Sequence, residues 1–195
     1  MLDDFKAITV YPGVHRPGMN YQVAFHNPTS YPFIGAGAQG AVFRLAPDRC
    51  IKIYAIEAEA IREANALLAA QSSPFFPKLF VAGPNYNIIE YISGPSLDQY
   101  LLQVNYLDKH ITKQIIELIR DMRRLGFSRL DAALRHILLT ETHAIKVIDH
   151  VNSYKTILHI PNQLLSELNN IGFRHTFLDQ VRIDAPELYE EWARI

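Results

Sequence analysis

The pattern of apolar positions changes character near residue 93. Before that point short runs rich in β-forming residues predict strands, with one helical run among them. After it apolar residues recur every three or four positions, as on one face of a helix. Residues 1–33 follow neither pattern, because Pro, Gly, Tyr and Asn interrupt them repeatedly. They predict an irregular arm that packs through its aromatic residues, with one short strand at 21–25.

The part after the arm combines two predicted strand pairs with one helix. Each pair is joined by a short turn that contains a proline, which favours antiparallel hairpins. A run of strong helix formers lies between the pairs, with Ile61, Leu67 and Leu68 as its apolar stripe. The predicted strands cover residues 41–46, 50–56, 79–83 and 86–92, and the helix covers residues 57–70.

The second half predicts four helices and one more strand pair. The clearest helical period belongs to the second of these helices, which ends at Gly126, a residue suited to the position after a helix C-terminus. The last helix is predicted to begin with Asp184 as its N-cap and Glu187 completing a capping box. The helices cover residues 96–107, 108–126, 161–172 and 184–195, and two short strands flank a turn within 136–150.

The composition is that of an ordinary globular protein: of 195 residues, 49% are hydrophobic and 20% are charged. A net charge of −1 gives no bulk reason to expect a nucleic-acid partner. The acidic start argues against a signal peptide, and no run of about 18 apolar residues indicates a membrane span, so a cytoplasmic location is expected. Cys50 is the only cysteine and is expected to be buried, not to form a disulfide or a metal site.

The first local motif with a chemical meaning is a glycine loop, in which Gly35, Gly37 and Gly40 are spaced G-x-G-x-x-G. Such loops let backbone N–H groups approach phosphate oxygens, either at the start of a helix in dinucleotide-binding proteins or between two strands in protein kinases. The residues after Gly40 alternate like a strand and break at Pro47, which favours the strand-to-strand loop. A dinucleotide-binding loop and an ordinary glycine-rich turn stay open as alternatives.

A lysine follows the glycine loop inside an apolar strand. Lys52 lies 12 positions after Gly40, and burying its ammonium is costly unless it has a charged partner. Glu63 on the predicted helix is the preferred partner, because it precedes the apolar end of the helix, while Glu57 and Glu59 are alternatives.

Two carboxylates and a histidine are spaced along the strand pair of the second half. Asp131 is followed by four residues and then His136, and Asp149 follows the second strand, 18 positions after Asp131. A strand turn between two aspartates brings both to one edge, where one can accept a hydroxyl proton and the other can hold a divalent cation.

With these residues the chain resembles the protein kinase-like superfamily over roughly residues 34–152, and within it the short atypical bacterial serine/threonine kinases of the RIO-like branch that lack the activation segment. The resemblance implies an α+β, bilobal fold with an antiparallel-sheet N-lobe that carries one helix and a reduced, mostly helical C-lobe. The implied domains are an arm over residues 1–33 that packs on the lobes, an N-lobe over 34–92 and a C-lobe over 93–195.

The resemblance also implies ATP between the lobes and Mg²⁺ or Mn²⁺ as the metal. It assigns Asp131 to the hydroxyl proton, Lys52 and Glu63 to the α- and β-phosphates, and Asp149 and His136 to the metal. The implied nucleotide-binding residues are Gly35, Gly37, Gly40, Val42, Lys52, Glu90, Tyr91 and Ile92, of which the last three would contact adenine through their main chain.

Several positions depart from the family pattern. His136 stands where the family has a metal-binding Asn, and it is predicted either to ligate the metal or to hydrogen-bond Asp131 or a backbone carbonyl. Arg129-Leu130-Asp131 stands where the family has His-Arg-Asp, so Leu130 occupies the place of the arginine that receives an activation-loop phosphate. His150 replaces the Phe after the metal-binding Asp, and Arg135 is a candidate for steering phosphate in place of the usual Lys.

The function that the resemblance implies is transfer of the ATP γ-phosphate to a protein Ser/Thr hydroxyl, including one of its own. The phosphoacceptor itself is not indicated by the sequence. Two alternatives stay open: a pseudokinase that binds a nucleotide or a partner protein without turnover, and a small-molecule phosphotransferase of the aminoglycoside or choline kinase type.

Overall fold

The structure is a computed structural model that describes residues 4–13 and 21–194. The predictions for the arm at 1–3 and 14–20, and for residue 195 of the last helix, lie outside the described residues. The described chain divides into two compact units: unit 1 comprises 4–13, 21–71 and 77–91, and unit 2 comprises 72–76 and 92–194.

The described residues form antiparallel sheets and six α-helices, an arrangement that agrees with the α+β class. The strands are β1 Thr9–Tyr11, β2 Ala24–His26, β3 Phe33–Ala36, β4 Gly40–Ala46, β5 Arg49–Tyr54, β6 Leu79–Ala82, β7 Tyr86–Glu90, β8 Ile137–Leu139 and β9 Ile145–Val147. The helices are α1 Glu57–Ala69, α2 Leu97–Val104, α3 Lys109–Arg124, α4 Asn162–Asn170, α5 Arg174–Asp184 and α6 Pro186–Trp192, with 3-10 helices at Asp4–Ala7 and Leu134–His136.

Unit 1 is built on a five-stranded sheet in the order β3-β4-β5-β7-β6. Both predicted hairpins, β4–β5 and β6–β7, are confirmed as antiparallel pairs. The central strand β5 is buried at five of its six residues, which an alternating strand with one solvated face would not be. Its apolar side chains Ile51 and Ile53 pack in one core with Phe5, Ile8 and Val23 of the arm. The arm therefore covers the sheet face that would otherwise meet water.

The predicted stripe of the first helix is wrong in two of its three residues. Of these three residues in α1 only Leu67 is buried, while Ile61 and Leu68 are 54% and 58% exposed. The buried face is made instead of small residues, with Glu63 among them. Because alanines allow a helix to lie close to a sheet, the carboxylate of Glu63 can reach the central strand.

Unit 2 contains the predicted helix α3, whose apolar face is buried as expected, and Gly126 follows it with a φ of +73°. The sequence prediction missed α5, and Asp184 is the last residue of α5 instead of the N-cap of the final helix. That helix, α6, begins at Pro186 with Ala185 at its N-cap and no side-chain cap. Proline is favoured in the first turn of a helix, which explains a start without a capping side chain.

None of the helices in the described part of the chain combines the length and the apolar character that crossing a bilayer requires.

Candidate functional site

The glycine loop of unit 1 is a β-hairpin between β3 and β4. The N–H of Gly37 donates to the carbonyl of Gly40 over 2.9 Å, which closes the turn. Because β4 and not a helix follows the loop, the dinucleotide-binding interpretation is wrong.

The three glycines of this hairpin meet different surroundings. A Cβ on Gly40 would lie 2.5 Å from the carbonyl oxygen of Ile53, so this glycine is required for the close pairing of β4 with β5. A Cβ on Gly35 or Gly37 would meet no described atom within 4 Å. Packing inside the protein therefore explains Gly40 but not the other two glycines.

The N-terminal arm contacts this hairpin, a feature that the sequence analysis missed. The N–H of Val23 donates to the carbonyl of Gly37 over 3.0 Å, and Gln22 Nε2 donates to the carbonyl of Ala36 over 3.2 Å. These bonds fix the turn of the hairpin to a segment that is itself anchored in the core of unit 1.

Lys52 and Glu63 are brought together by β5 and α1. Lys52 Nζ lies 2.6 Å from Glu63 Oε2, and the two side chains are only 11% and 2% exposed. Of the alternatives, Glu59 lies 3.8 Å from Arg62, and Glu57 is exposed. Val42 is the cross-strand partner of Lys52, and since partners in register point to the same face, both side chains lie on one face of the sheet.

The pair belongs to a larger buried network. Tyr54 Oη donates to Glu63 Oε2 over 2.7 Å, and Asn87 Nδ2 donates both to Tyr54 Oη and to the carbonyl of Ala60, each over 3.0 Å. Sequence reasoning missed Tyr54 and Asn87. The available signal was an amide side chain next to the apolar residues Ile88 and Ile89 of strand β7.

The segment predicted to contact adenine already uses part of its main chain within unit 1. The N–H of Glu90 donates to the carbonyl of Lys78 over 2.8 Å, and the N–H of Tyr91 donates to the carbonyl of Asp48 over 2.9 Å. These two N–H groups already have acceptors. The predicted contacts with adenine are therefore expected from the other main-chain groups of this segment, including those of Ile92.

Asp131 in unit 2 is 8% exposed and serves as a cap for α4. Its Oδ2 accepts from the N–H of Gln163 over 2.9 Å, and its Oδ1 accepts from the N–H of Leu164 over 3.2 Å. Pro161, at the N-cap of α4, makes no side-chain cap of its own, so Asp131 supplies the missing acceptors. Burial raises the pKa of Asp131, and the two backbone hydrogen bonds oppose that rise in part.

The segment after Asp131 is held from the same helix. Glu167 on α4 accepts from the N–H of Leu134 over 2.6 Å, and its other oxygen lies 3.5 Å from Arg135. Arg135, the candidate for phosphate steering, is thus paired with a carboxylate. The 3-10 turn that leads to His136 is fixed at its first residue by a helix 33 positions away.

His136 and Asp149 lie near each other at the ends of β8 and β9. His136 Nε2 is 3.8 Å from Asp149 Oδ2, beyond a direct hydrogen bond. Asp149 has a φ of +68°, the left-handed region that costs a residue with a side chain about 1 kcal/mol or more. Backbone strain of this kind concentrates at functional sites.

His150 next to it is buried and belongs to an aromatic cluster of unit 2. Its ring lies 4.9 Å from the ring of Phe76 and 6.3 Å from that of Phe127. Its Nε2 donates to the carbonyl of Val147 over 2.7 Å, which fixes the ring. His150, which stands where the kinase pattern has Phe, is therefore a packed ring that makes its own hydrogen bond.

The donor set for a divalent cation is small in the part of the chain that the structure describes. Groups of three or more His, Cys, Asp or Glu side chains that could hold a metal ion are not found there. Asp149 and His136 supply one carboxylate and one imidazole within 3.8 Å of each other. This set fits an ion that keeps several waters and substrate oxygens, as Mg²⁺ does, and the imidazole shifts the preference toward Mn²⁺.

Comparison with known proteins finds a similarity to a protein of Bacillus subtilis (strain 168) named "Putative serine/threonine-protein kinase YrzF". The two are 27% identical over 141 residues, which cover 70% of this chain and 66% of that protein. The chain thus spans slightly less than two thirds of the relative's length. No family model matches the chain. The similarity supports a kinase-like phosphotransferase as the broad class of this protein.

Proposed function

We propose that this protein is an ATP-dependent kinase with a bilobal, kinase-like fold, and that it transfers the γ-phosphate of ATP to a Ser or Thr hydroxyl of a protein, including its own. The similarity to a protein named as a serine/threonine kinase supports the class.

One observation carries the proposal: the buried ion pair of Lys52 and Glu63, in which Lys52 stands on the same sheet as the glycine hairpin. A buried ammonium that needs only charge compensation would not require two sterically unexplained glycines in a hairpin whose strand β4 pairs with the strand of Lys52. Phosphate binding accounts for both, since the hairpin amides approach the phosphates where no Cβ intervenes and Lys52, oriented by Glu63, supplies positive charge.

Asp131 is proposed to take the proton of the attacking hydroxyl. An ionised carboxylate offers about four acceptor positions, and α4 uses two of them. The hydroxyl oxygen forms a bond to the γ-phosphorus, the bond from that phosphorus to the bridging oxygen breaks, and ADP leaves with the electron pair. A pKa raised by burial makes Asp131 a stronger base than an exposed Asp, so the acid limb of the pH–rate profile should lie above the usual Asp range.

Asp149 and His136 are proposed to hold the divalent cation, which when bound neutralises phosphate charge. The left-handed backbone of Asp149 supports this, because a strained residue next to a buried anchor such as His150 is held in place by its surroundings.

The test is labelling from γ-labelled ATP with Mg²⁺ or Mn²⁺, with the protein alone and with a mixed protein substrate. The wild type should transfer label in a metal-dependent way, and Asp149→Asn should abolish it. Asn tolerates the left-handed backbone about as well as Asp, so folding is preserved. His143→Asn, at another left-handed position, is the matched control and should label normally. Full labelling by Asp149→Asn would refute the proposal.

The second candidate is nucleotide binding without turnover. The capping of α4 by Asp131 favours it, because a role as a helix cap accounts for this buried carboxylate without any role in catalysis. Thermal stabilisation by ATP and metal without ATP consumption would select this candidate. ATP consumption stimulated by a small hydroxyl compound and not by proteins would instead select a small-molecule phosphotransferase.

A further inference from the structure

The ion pair of Lys52 and Glu63 does not stand alone but ends a chain of hydrogen bonds with a single direction. Asn87 donates to Tyr54, Tyr54 donates to Glu63, and Lys52 donates to the same Glu63 oxygen. Asn87, Tyr54 and Glu63 are at most 1% exposed. Each of these bonds therefore forms in a place where water does not compete.

The orientation of Asn87 is fixed by a group that cannot change its role. Its Nδ2 lies 3.0 Å from the carbonyl of Ala60, which can only accept a hydrogen bond. A flipped amide would place its oxygen against that carbonyl, so Nδ2 must face it. The second proton of Nδ2 then goes to Tyr54 Oη, and the Tyr54 proton has Glu63 as its acceptor.

The network ties one turn of α1 to two neighbouring strands. Ala60 and Glu63 lie three residues apart on α1, so Asn87 on β7 and Tyr54 on β5 hold adjacent points of the same helical turn. The packing around this turn is made largely of alanines and cannot lock the helix by shape alone. The hydrogen bonds from Tyr54 and Asn87 therefore fix the position of α1 on the sheet, which the small side chains alone do not fix.

We propose that Tyr54 and Asn87 are positioning residues that hold α1 in the position where Glu63 orients Lys52, without any ligand or modification. The proposal rests on the function proposed above as far as ATP is concerned. Displacing α1 would leave the Tyr54 hydroxyl, the Asn87 amide and the Lys52 ammonium without their present acceptors in a buried place, which is costly for each of them. Regulation by movement of α1 is therefore not expected in this protein.

The first test is hydrogen exchange of the α1 amides in the full-length protein without nucleotide. Tyr54→Phe removes one hydroxyl and keeps the ring, and it should speed exchange in α1 by at least about tenfold, as expected for one lost bond to a charged group. Exchange in unit 2 should not change. Tyr86→Phe, on β7 beside Asn87 but packed toward Phe5, is the matched control and should leave α1 as it is.

The second test is the dependence of ATP turnover on combined variants. Tyr54→Phe should raise KM for ATP and leave KM for the phosphoacceptor unchanged. In a Glu63→Gln background Tyr54→Phe should add little, because the side chain through which it acts is already altered. Asn87→Leu should repeat the effect, and if it does not fold, Tyr54→Phe carries the test.

Wild-type exchange rates in α1 of Tyr54→Phe would overturn the proposal, as would KM effects that add fully to those of Glu63→Gln. A wild type that neither binds nor consumes ATP overturns the proposed function and the role in orienting phosphate. In that case the exchange rates still decide whether Tyr54 and Asn87 hold α1.

Discussion

The two groups of candidate catalytic residues are built in opposite ways. Lys52 and Glu63 stand on a central strand and a helix, and their polar atoms are joined by further buried side chains. Asp131 and Asp149 stand on connecting segments. Asp131 also caps the start of α4, and Asp149 has a left-handed backbone conformation. Regular elements fix the first group in advance, whereas in the second group single residues serve the fold and the proposed chemistry at once.

This difference matters for mutagenesis, because the same substitution tests different things in the two units. In unit 1, loss of a side chain disturbs the buried hydrogen-bond network around the ion pair of Lys52 and Glu63. In unit 2, it removes a helix cap or relieves strain, so stability and activity can change in opposite directions.

The largest effect is expected from breaking the buried ion pair. Glu63→Ala removes the buried carboxylate that accepts from both the Lys52 ammonium and the Tyr54 hydroxyl, and it should lower the free energy of unfolding by about 3–5 kcal/mol. The double variant Lys52→Met/Glu63→Leu should recover the part of this loss that comes from the broken ion pair, but not the part from the lost Tyr54 hydrogen bond, and labelling from ATP stays lost. Urea unfolding followed by circular dichroism measures both.

Glu59→Ala is the matched control on the same helix. Glu59 lies 3.8 Å from a half-exposed Arg62, so its loss should change the free energy of unfolding by less than about 1 kcal/mol. If Glu63→Ala and Glu59→Ala lower the free energy of unfolding equally, the buried network around Glu63 does not contribute the expected stability.

The next effect concerns the cap that Asp131 provides. Asp131→Ala removes both acceptors at the start of α4 and should destabilise unit 2 by about 1–2 kcal/mol, in addition to abolishing phosphotransfer. Trp192 is the only tryptophan, is fully buried in unit 2, and reports the unfolding of that unit by fluorescence.

Asp108→Ala separates the two duties of Asp131. Asp108 caps α3 by accepting from the N–H of His110 over 2.7 Å and belongs to no candidate site. Its loss should cost similar stability and leave activity unchanged. A stable, inactive Asp131→Ala would show that α4 does not depend on this cap.

A smaller effect of opposite sign is expected at Asp149. Asp149→Gly relieves the left-handed backbone and should raise the free energy of unfolding by up to about 1 kcal/mol while labelling is lost. His143→Gly relieves a φ of +58° in the turn between β8 and β9 and should stabilise the protein without loss of activity. If Asp149→Gly destabilises the protein, the Asp149 side chain makes a structural contribution larger than the strain.

The sequence predicted the regular part of the fold better than its ends. Short β-rich runs bounded by turn residues located β4 to β7, and a strong 3.6-residue period located α3. Helix α5 was missed because it buries only Phe177 and Val181 and begins without a side-chain cap, so both the period and the start signal are weak. Strand β1 is three residues long, too short for any period to show.

In the candidate site, too, the contact between regular elements was predicted from the sequence and the contact made by a connecting segment was not. The contact of Lys52 with a glutamate of α1 was predictable, because a lysine in an apolar strand requires a partner nearby. The capping of α4 by Asp131 was not, because the two are about 30 residues apart and only the fold brings them together. Its one trace in the sequence is Pro161, which leaves the start of α4 without a capping side chain.

The smallest effect at neutral pH is expected at Cys50, which lies on the same strand as Lys52. Burial raises the pKa of its thiol from 9.0 to about 12, so at pH 8 only about one thiol in ten thousand is ionised. Iodoacetamide should therefore leave Cys50 unmodified in the folded protein, leave ATP turnover unchanged, and modify it fully in urea. Rapid modification of the native protein would show that unit 1 opens readily, against the picture of a pre-organised first group.

The same thiol links stability to alkaline pH. Because its pKa is higher in the folded state, the unfolded chain loses this proton first, and the free energy of unfolding should fall as the pH rises from about 9 toward 12. Cys50→Ala should flatten this dependence by roughly 1 kcal/mol at pH 10, since one pKa unit corresponds to about that free energy. Urea unfolding of both proteins at pH 8 and pH 10 measures the difference, and parallel curves would mean that Cys50 is not shielded from water.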